Sequence, residues 1–144
     1  MDTTKISFDV SNSDPSAQLG FEAWFNNIKF FDTDHITDTV TITYDFPDEE
    51  QECCLRLVLK NKLPIHTKIS NTGDIISDAR LFLKNLAFDE IKLEQLFYKL
   101  AVYRHDTNGT TPVADHKFYG ELGCNGELIL NFSTPIYLWL LENM

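Results

Sequence analysis

Residues 39–46 alternate polar and apolar side chains without a break. The apolar positions are Val40, Ile42, Tyr44 and Phe46, and the polar positions are Thr39, Thr41, Thr43 and Asp45. A period of two is the pattern of a strand that turns one face to a core and the other to water. Because similar alternation recurs along most of the chain, the sequence predicts a protein built mainly of antiparallel sheet.

Further strand-like runs follow one another with turn residues between them. They cover residues 6–10, 19–25, 28–31, 53–59, 79–84, 118–122 and 127–132. Eight or more short strands without a clear helical crossover favour a sandwich over a parallel α/β sheet. We therefore expect residues 1–144 to form one all-β domain, a jelly-roll-like antiparallel β-sandwich.

Local signals refine this picture at two predicted turns. Asn26-Asn27 separates two apolar runs and predicts a tight hairpin, because asparagine tolerates left-handed backbone. Asn125-Gly126, with Gly123 and Cys124 before it, is the strongest hairpin signal in the chain.

Three segments are less regular in pattern. Residues 61–78 are polar, carry Pro64 and Gly73, and form the longest irregular stretch, of a length often found in functional or partner-contacting loops. Residues 88–98 fit strand pieces or one helical face, and their strand neighbours favour strands. Thr134-Pro135 is typical of a helix N-cap with proline at the first helical position, so residues 136–142 predict a short C-terminal helix or a last strand.

Charge and composition exclude several classes of function. The 144 residues carry a net charge of −10, which repels phosphate backbones and argues against nucleic acid as a partner. The N-terminus lacks the features of a signal peptide, and no apolar run is long enough to suggest a membrane partner. Cys53, Cys54 and Cys124 form no disulfide framework, which is typical of a reducing compartment.

The sequence predicts no enzyme, because no nucleophile–base or phosphate-binding motif is present. The histidines lack zinc-ligand spacing and are interpreted as surface residues; they are His35, His66, His105 and His116. Cys124 is interpreted as structural, since nearby Glu121 and Glu127 oppose a thiolate.

The sequence contains residues suited to binding an ion or a sugar. Asp32, Asp34 and Asp38 supply the oxygen ligands that calcium prefers, or else they form an ordinary solvated turn. Trp24 lies out of phase with its apolar neighbours, so we expect it on an outer face where an aromatic ring can stack on a sugar; with Asp34 and His35 it forms the predicted ligand site.

The C-terminal segment predicts a contact surface. Tyr137, Trp139 and Leu141 lie in a short apolar run. Such a run at a terminus is expected at subunit interfaces, or it closes the protein's own core.

Several segments together resemble small structural proteins of tailed phages that infect marine cyanobacteria. These segments are residues 19–24, 57–62, 66–68, 78–81, 86–91, 117–126 and 134–144. The resemblance implies a virion component and carries no catalytic residues. It also implies other virion proteins, or further copies of the chain, as partners.

A second resemblance is to calcium-dependent, xylan-binding jelly-roll carbohydrate modules. It rests on Gly20-Phe21-Glu22, on the Asn26-Asn27 hairpin and on residues 57–61, which occur in the order found in those modules. Lys62 stands where such a module carries an acidic calcium ligand. The resemblance implies a glycan as ligand and calcium as its cofactor.

Two functions are therefore expected. The first is a non-enzymatic phage structural protein, in a head-decoration or tail-associated position, that is located in the virion after assembly in the host cytoplasm. The alternative is a carbohydrate-binding module that uses calcium.

Overall fold

The computed structural model describes residues 3–143, which form strands and two short helices. In chain order the elements are β1 (Thr3–Asn12), β2 (Gly20–Phe25), β3 (Ile28–Thr33), β4 (Val40–Pro47), β5 (Gln51–Lys60), a 3-10 turn (Pro64–His66), β6 (Thr67–Ile69), β7 (Ile75–Asp78), β8 (Leu81–Phe88), β9 (Ile91–Lys92), α1 (Glu94–Leu100), β10 (Val102–His105), β11 (Ala114–Lys117), β12 (Glu121–Leu122), β13 (Gly126–Thr134) and α2 (Ile136–Asn143).

The strands form two main antiparallel sheets and a separate hairpin. The first sheet has the order β12-β8-β1-β4, and β9 adds to β8. The second has the order β11-β10-β13-β5-β2-β3, while β6 pairs only with β7. Successive strands pass repeatedly from one sheet to the other. The predicted all-β, jelly-roll-like antiparallel sandwich with a short C-terminal helix is confirmed.

Alternation of burial is clearest in the long strand β5, which lies inside the second sheet. In β5 the side chains at every second position are buried and those between them are half-buried. The buried set is Cys53, Leu55, Leu57 and Leu59. Burying one face of each sheet against the other removes apolar area from water, which is the main force that holds a sandwich together.

Aromatic rings join the two sheets near α2. Phe46 of the first sheet lies 4.7 Å from Phe25 and 5.7 Å from Phe132 of the second, measured between ring centroids. Phe88 lies 5.0 Å from Phe132. Trp139 of α2 packs against Phe88 and Phe132, at 6.2 and 5.9 Å. The C-terminal helix therefore closes this end of the core.

The strand prediction for residues 88–98 is only partly right. β8 turns at Asp89, which has a φ of 54°, and pairs with β9, but the chain then forms α1. Leu93 and Phe97, four residues apart on one helical face, are both buried. Phe97 packs edge-on against Phe118 at 5.0 Å. The sequence pattern fits a strand and a helix equally, and the burial of this apolar face stabilises the helix.

The predicted Asn125-Gly126 hairpin is wrong. β12 pairs with β8 in the first sheet, whereas β13 pairs with β5 and β10 in the second. The segment therefore crosses from one sheet to the other. Asn125 bonds to the main chain of Lys62, and a Cβ on Gly126 would collide with the carbonyl oxygen of Arg104. Glycine is needed here for a close approach of two strands.

The helical alternative for the C-terminus is confirmed, but its capping residue differs from the prediction. The Ile136 N–H donates to the Asp48 carboxylate over 2.9 Å. The Thr134 hydroxyl donates instead to the Glu49 carbonyl oxygen. An acidic side chain from the β4–β5 connection thus satisfies a free N–H at the start of α2 and complements the helix dipole.

Candidate protein-interaction site

An apolar hairpin extends the connection between β5 and β8. We call residues 63–77 the arm; it contains the 3-10 turn, β6 and all of β7 except Asp78, and its strands pair with neither main sheet. The predicted irregular stretch is thus partly ordered as a hairpin. Large apolar side chains in the arm are between 57% and 76% exposed: Leu63, Ile65, Ile69, Ile75 and Ile76.

The arm is unusual in physical terms. An isolated two-stranded hairpin is only marginally stable in water, because it has no third strand or helix to cover one face. Ile69 and Ile75 are cross-strand neighbours, and both are exposed. Contiguous apolar side chains on a surface are a feature of interaction sites.

A buried ion pair fixes the start and the end of the arm. The Lys62 ammonium lies 2.5 Å from the Asp78 carboxylate and 2.5 Å from the Gly123 carbonyl oxygen. The Lys62 side chain is 1% exposed and the Asp78 side chain 30%. The Thr67 hydroxyl donates to the same carboxylate oxygen over 2.6 Å. A buried ammonium is tolerated only when it is paired in this way.

The side chain of Asn125 also fixes the start of the arm, by bonding to the main chain of Lys62. It accepts the Lys62 N–H over 2.9 Å and donates to the Lys62 carbonyl oxygen over 2.8 Å. Both backbone groups of Lys62 are therefore paired with one side chain. The arm thus begins from a rigid position although its own strands are exposed.

A second apolar surface lies on α2. We call the exposed side chains of Tyr137, Leu138 and Leu141, together with Ile91 of β9, the helical pole. Ile91 and Tyr137 line one small cavity. Of the predicted interface residues, Tyr137 and Leu141 are exposed, whereas Trp139 is 7% exposed and packs into the protein's own core.

An acidic cleft borders the helical pole. Its volume is about 580 Å³, and Leu138 and Trp139 contribute apolar walls. Three exposed carboxylates line it, those of Glu50, Glu52 and Glu142. Within residues 3–143 none of these three forms an ion pair. The cleft therefore presents uncompensated negative charge beside apolar surface.

The arm and the helical pole lie at opposite ends of the sandwich. β5 begins at Gln51, which pairs with Thr134 just before α2. It ends at Lys60, two residues before Lys62. A strand of this length spans about 30 Å. The two apolar surfaces are thus separated by the length of the core.

Two of the three predicted calcium ligands, Asp32 and Asp34, lie against a lysine. The Lys60 ammonium lies 2.5 Å from Asp32, 3.1 Å from Glu22 and 3.5 Å from Asp34. The hydrogen bond from Lys60 lowers the pKa of Asp32, and the same bond raises the pKa of Lys60. Asp38 is exposed. Within the described part of the chain no group of three potential ligands has metal-binding geometry.

The predicted sugar-binding residues are not brought together. Trp24 is half-buried on the outer face of the second sheet, with the Arg56 guanidinium 4.9 Å from its ring and the Lys29 ammonium 5.6 Å away. Asp34 follows the far end of β3. His35 bonds through its Nε2 to the Pro15 carbonyl oxygen over 2.8 Å. His35 therefore contacts a neighbouring loop rather than Trp24.

Two histidines form a stacked pair that the sequence did not indicate. The register of β10 and β11 places Tyr103 opposite His116, and the rings of His105 and His116 stack at 3.9 Å with an interplanar angle of 13°. Both are half-buried rather than fully on the surface. Burial, and then the neighbouring His116, lower the pKa of His105.

The burial of His105 and its contact with His116 predict how its pKa departs from the ordinary value. We expect His105 to titrate below the ordinary histidine value of about 6.5. Because the unfolded chain takes up the proton first, stability should fall as the pH drops through about 6.5. An NMR titration of the imidazole signals measures the pKa. His116→Gln should move it upward, and a wild-type value at or above the ordinary one would contradict the burial of His105 beside His116.

The cysteines are free and poorly reactive in their setting. Burial raises the pKa of Cys53 to about 11 and also raises the pKa of Cys54 and of Cys124. A raised pKa leaves little thiolate at neutral pH, and the thiolate is the nucleophile. These thiols are therefore poor candidates for a reactive site.

Comparison with protein-family models, with curated proteins and with solved structures finds no match for this chain. In residues 3–143, both helices are too short to cross a bilayer.

Proposed function

We propose that this chain is a non-enzymatic structural subunit of a phage virion, a head-decoration or tail-associated protein that acts through protein–protein contacts. The exposed apolar arm on its buried ion-pair anchor is the observation that carries the proposal. The resemblance of the sequence to small structural proteins of tailed phages supplies the setting. The partners are other virion proteins or further copies of the chain.

The arm supports docking rather than catalysis for a physical reason. Covering its isoleucines against a partner would remove apolar area from water at about 25 cal/mol per Å². The Lys62–Asp78 pair fixes the place from which the arm extends, so less conformational freedom is lost on binding. An exposed apolar surface on a rigid base suits a subunit contact, because the buried centre of such a contact is apolar.

Docking onto phage particles tests the proposal. The purified chain, labelled with a fluorophore, is sedimented with capsids and tails of tailed phages of marine cyanobacteria. We expect saturable binding by the wild type, weakened about tenfold or more in the double variant Ile69→Ser, Ile75→Ser. Val113→Ser is the matched control, because Val113 is 66% exposed on a loop outside the arm. No binding to any particle, or equal binding by the arm variant, would contradict the proposal.

A carbohydrate-binding function is the second candidate, and the half-exposed ring of Trp24 on the outer face of the second sheet favours it. Outward aromatic rings stack on sugars. Arg56 and Lys29 already lie against this ring, so a sugar would share the ring with them or displace one of them.

A glycan array in calcium and again in EGTA tests this candidate. Trp24→Ala should abolish any binding, while Tyr119→Ala, which removes another exposed aromatic ring, should leave it unchanged. Loss in EGTA would support Asp32, Asp34 and Asp38 as calcium ligands. Absence of binding in both conditions would eliminate this function.

A further inference from the structure

The two apolar surfaces differ in charge as well as in position. The helical pole borders the cleft of Glu50, Glu52 and Glu142, which has neither lysine nor arginine in its lining. Two such poles facing each other would bring like charges together, and like-charge juxtaposition opposes association. The helical pole is therefore poorly suited to bind its own copy in a symmetric contact.

The arm carries one exposed lysine that can complement the acidic cleft. Lys68 lies in β6, directly before Ile69 and across from Ser77, and its side chain is exposed. Within residues 3–143 Lys68 forms no ion pair. The acidic residue of the arm, Asp74, lies in the turn, where the Thr72 hydroxyl donates to it. The arm thus carries an exposed lysine next in sequence to Ile69, outside any ion pair of the described residues.

We propose that the arm of one copy docks on the helical pole of a second copy. Lys68 enters the acidic cleft of the second copy, while Ile69 and Ile75 cover Leu138 and Leu141. The inference rests on the proposed function in protein–protein contacts and adds a specific partner to it. Because the two contact surfaces are different and lie at opposite ends, the contact is head-to-tail and repeats into a ring or an open filament.

Sedimentation velocity of the full chain tests the contact by complementation. The arm variant is Ile69→Ser, Ile75→Ser, and the pole variant is Leu138→Ser, Leu141→Ser. We expect the wild type to form larger species as its concentration rises. Each variant alone lacks one of the two surfaces and stays monomeric. A mixture of the two variants retains one arm and one pole and stops at the 1:1 dimer.

Charge reversal tests the role of Lys68 in the same contact. Lys68→Glu and Glu52→Lys should each weaken association by about tenfold or more, and the two together in one chain should restore it. Lys84→Glu, at an exposed lysine on β8, is the matched control and should have no effect. Salt should weaken the wild-type contact in part, because the apolar share is not screened. Circular dichroism and thermal melting show that each variant is folded.

Three results would overturn this inference. They are a wild type that stays monomeric up to about 1 mM, a variant that still dimerises alone, and a mixture that forms no heterodimer. The particle-binding assay separates this outcome from the proposed function. A monomer whose arm still docks on particles leaves the virion role standing and removes only the contact between copies.

Discussion

Asp78→Asn is expected to lower the free energy of unfolding by about 3–5 kcal/mol, because it leaves the ammonium of Lys62 buried without a counter-charge. The Lys62 side chain is 1% exposed, so water cannot replace the lost carboxylate. Guanidinium denaturation at neutral pH measures the change. The arm should also become sensitive to limited proteolysis, because Asp78 ends β7 and accepts the Thr67 hydroxyl that begins β6.

Lys62→Met is the matched comparison for this pair. It leaves the carboxylate of Asp78, which is 30% exposed and therefore open to water. Methionine also keeps most of the apolar stem volume. We expect a smaller loss, about 1–3 kcal/mol. If Lys62→Met were as costly as Asp78→Asn, burial of the ammonium would not be the reason for the effect.

Phe132→Ala is expected to cost about 3–5 kcal/mol, because it opens a cavity where the two sheets and α2 meet. The Phe132 ring lies within 6.4 Å of four other aromatic rings, and these are Phe25, Phe46, Phe88 and Trp139. Equilibrium denaturation gives the loss. A lower melting temperature should accompany it.

The control for this prediction is another aromatic truncation at the surface. Tyr119 is 73% exposed, so Tyr119→Ala should change the free energy of unfolding by no more than about 0.5 kcal/mol. Similar losses in the two variants would mean that the aromatic cluster at Phe132 does not stabilise the sandwich.

The sequence predicted strands correctly where polar and apolar side chains alternate strictly. Residues 40–46 and 53–59 both lie in strands. In the predicted run 118–122, by contrast, only Glu121 and Leu122 form a strand. The pattern failed at α1 because Leu93 and Phe97 fit either period, and the helix is favoured by packing on residues distant in sequence, such as Phe118. It failed at Asn125-Gly126 because turn chemistry reports on local backbone and not on the sheet that each flanking strand joins.

The sequence indicated part of the candidate interaction site. The length of the connection after β5 and the apolar C-terminus both indicated contact surfaces, and both carry exposed apolar side chains. The Lys62–Asp78 pair could not be foreseen, since its partners are sixteen residues apart and meet only through the fold. The calcium prediction missed Lys60 for the same reason: it lies on β5, while Asp32 and Asp34 lie at the end of β3.

Quantitative mass spectrometry of gradient-purified phage particles tests the central claim most directly. The sample comes from cells in which this chain is expressed during infection, and its peptides are counted against those of the major capsid protein. The proposed role predicts this chain at many copies per particle, and far fewer when the arm carries Ile69→Ser and Ile75→Ser. Particles free of the wild-type chain, or an arm variant incorporated at the wild-type level, would contradict it.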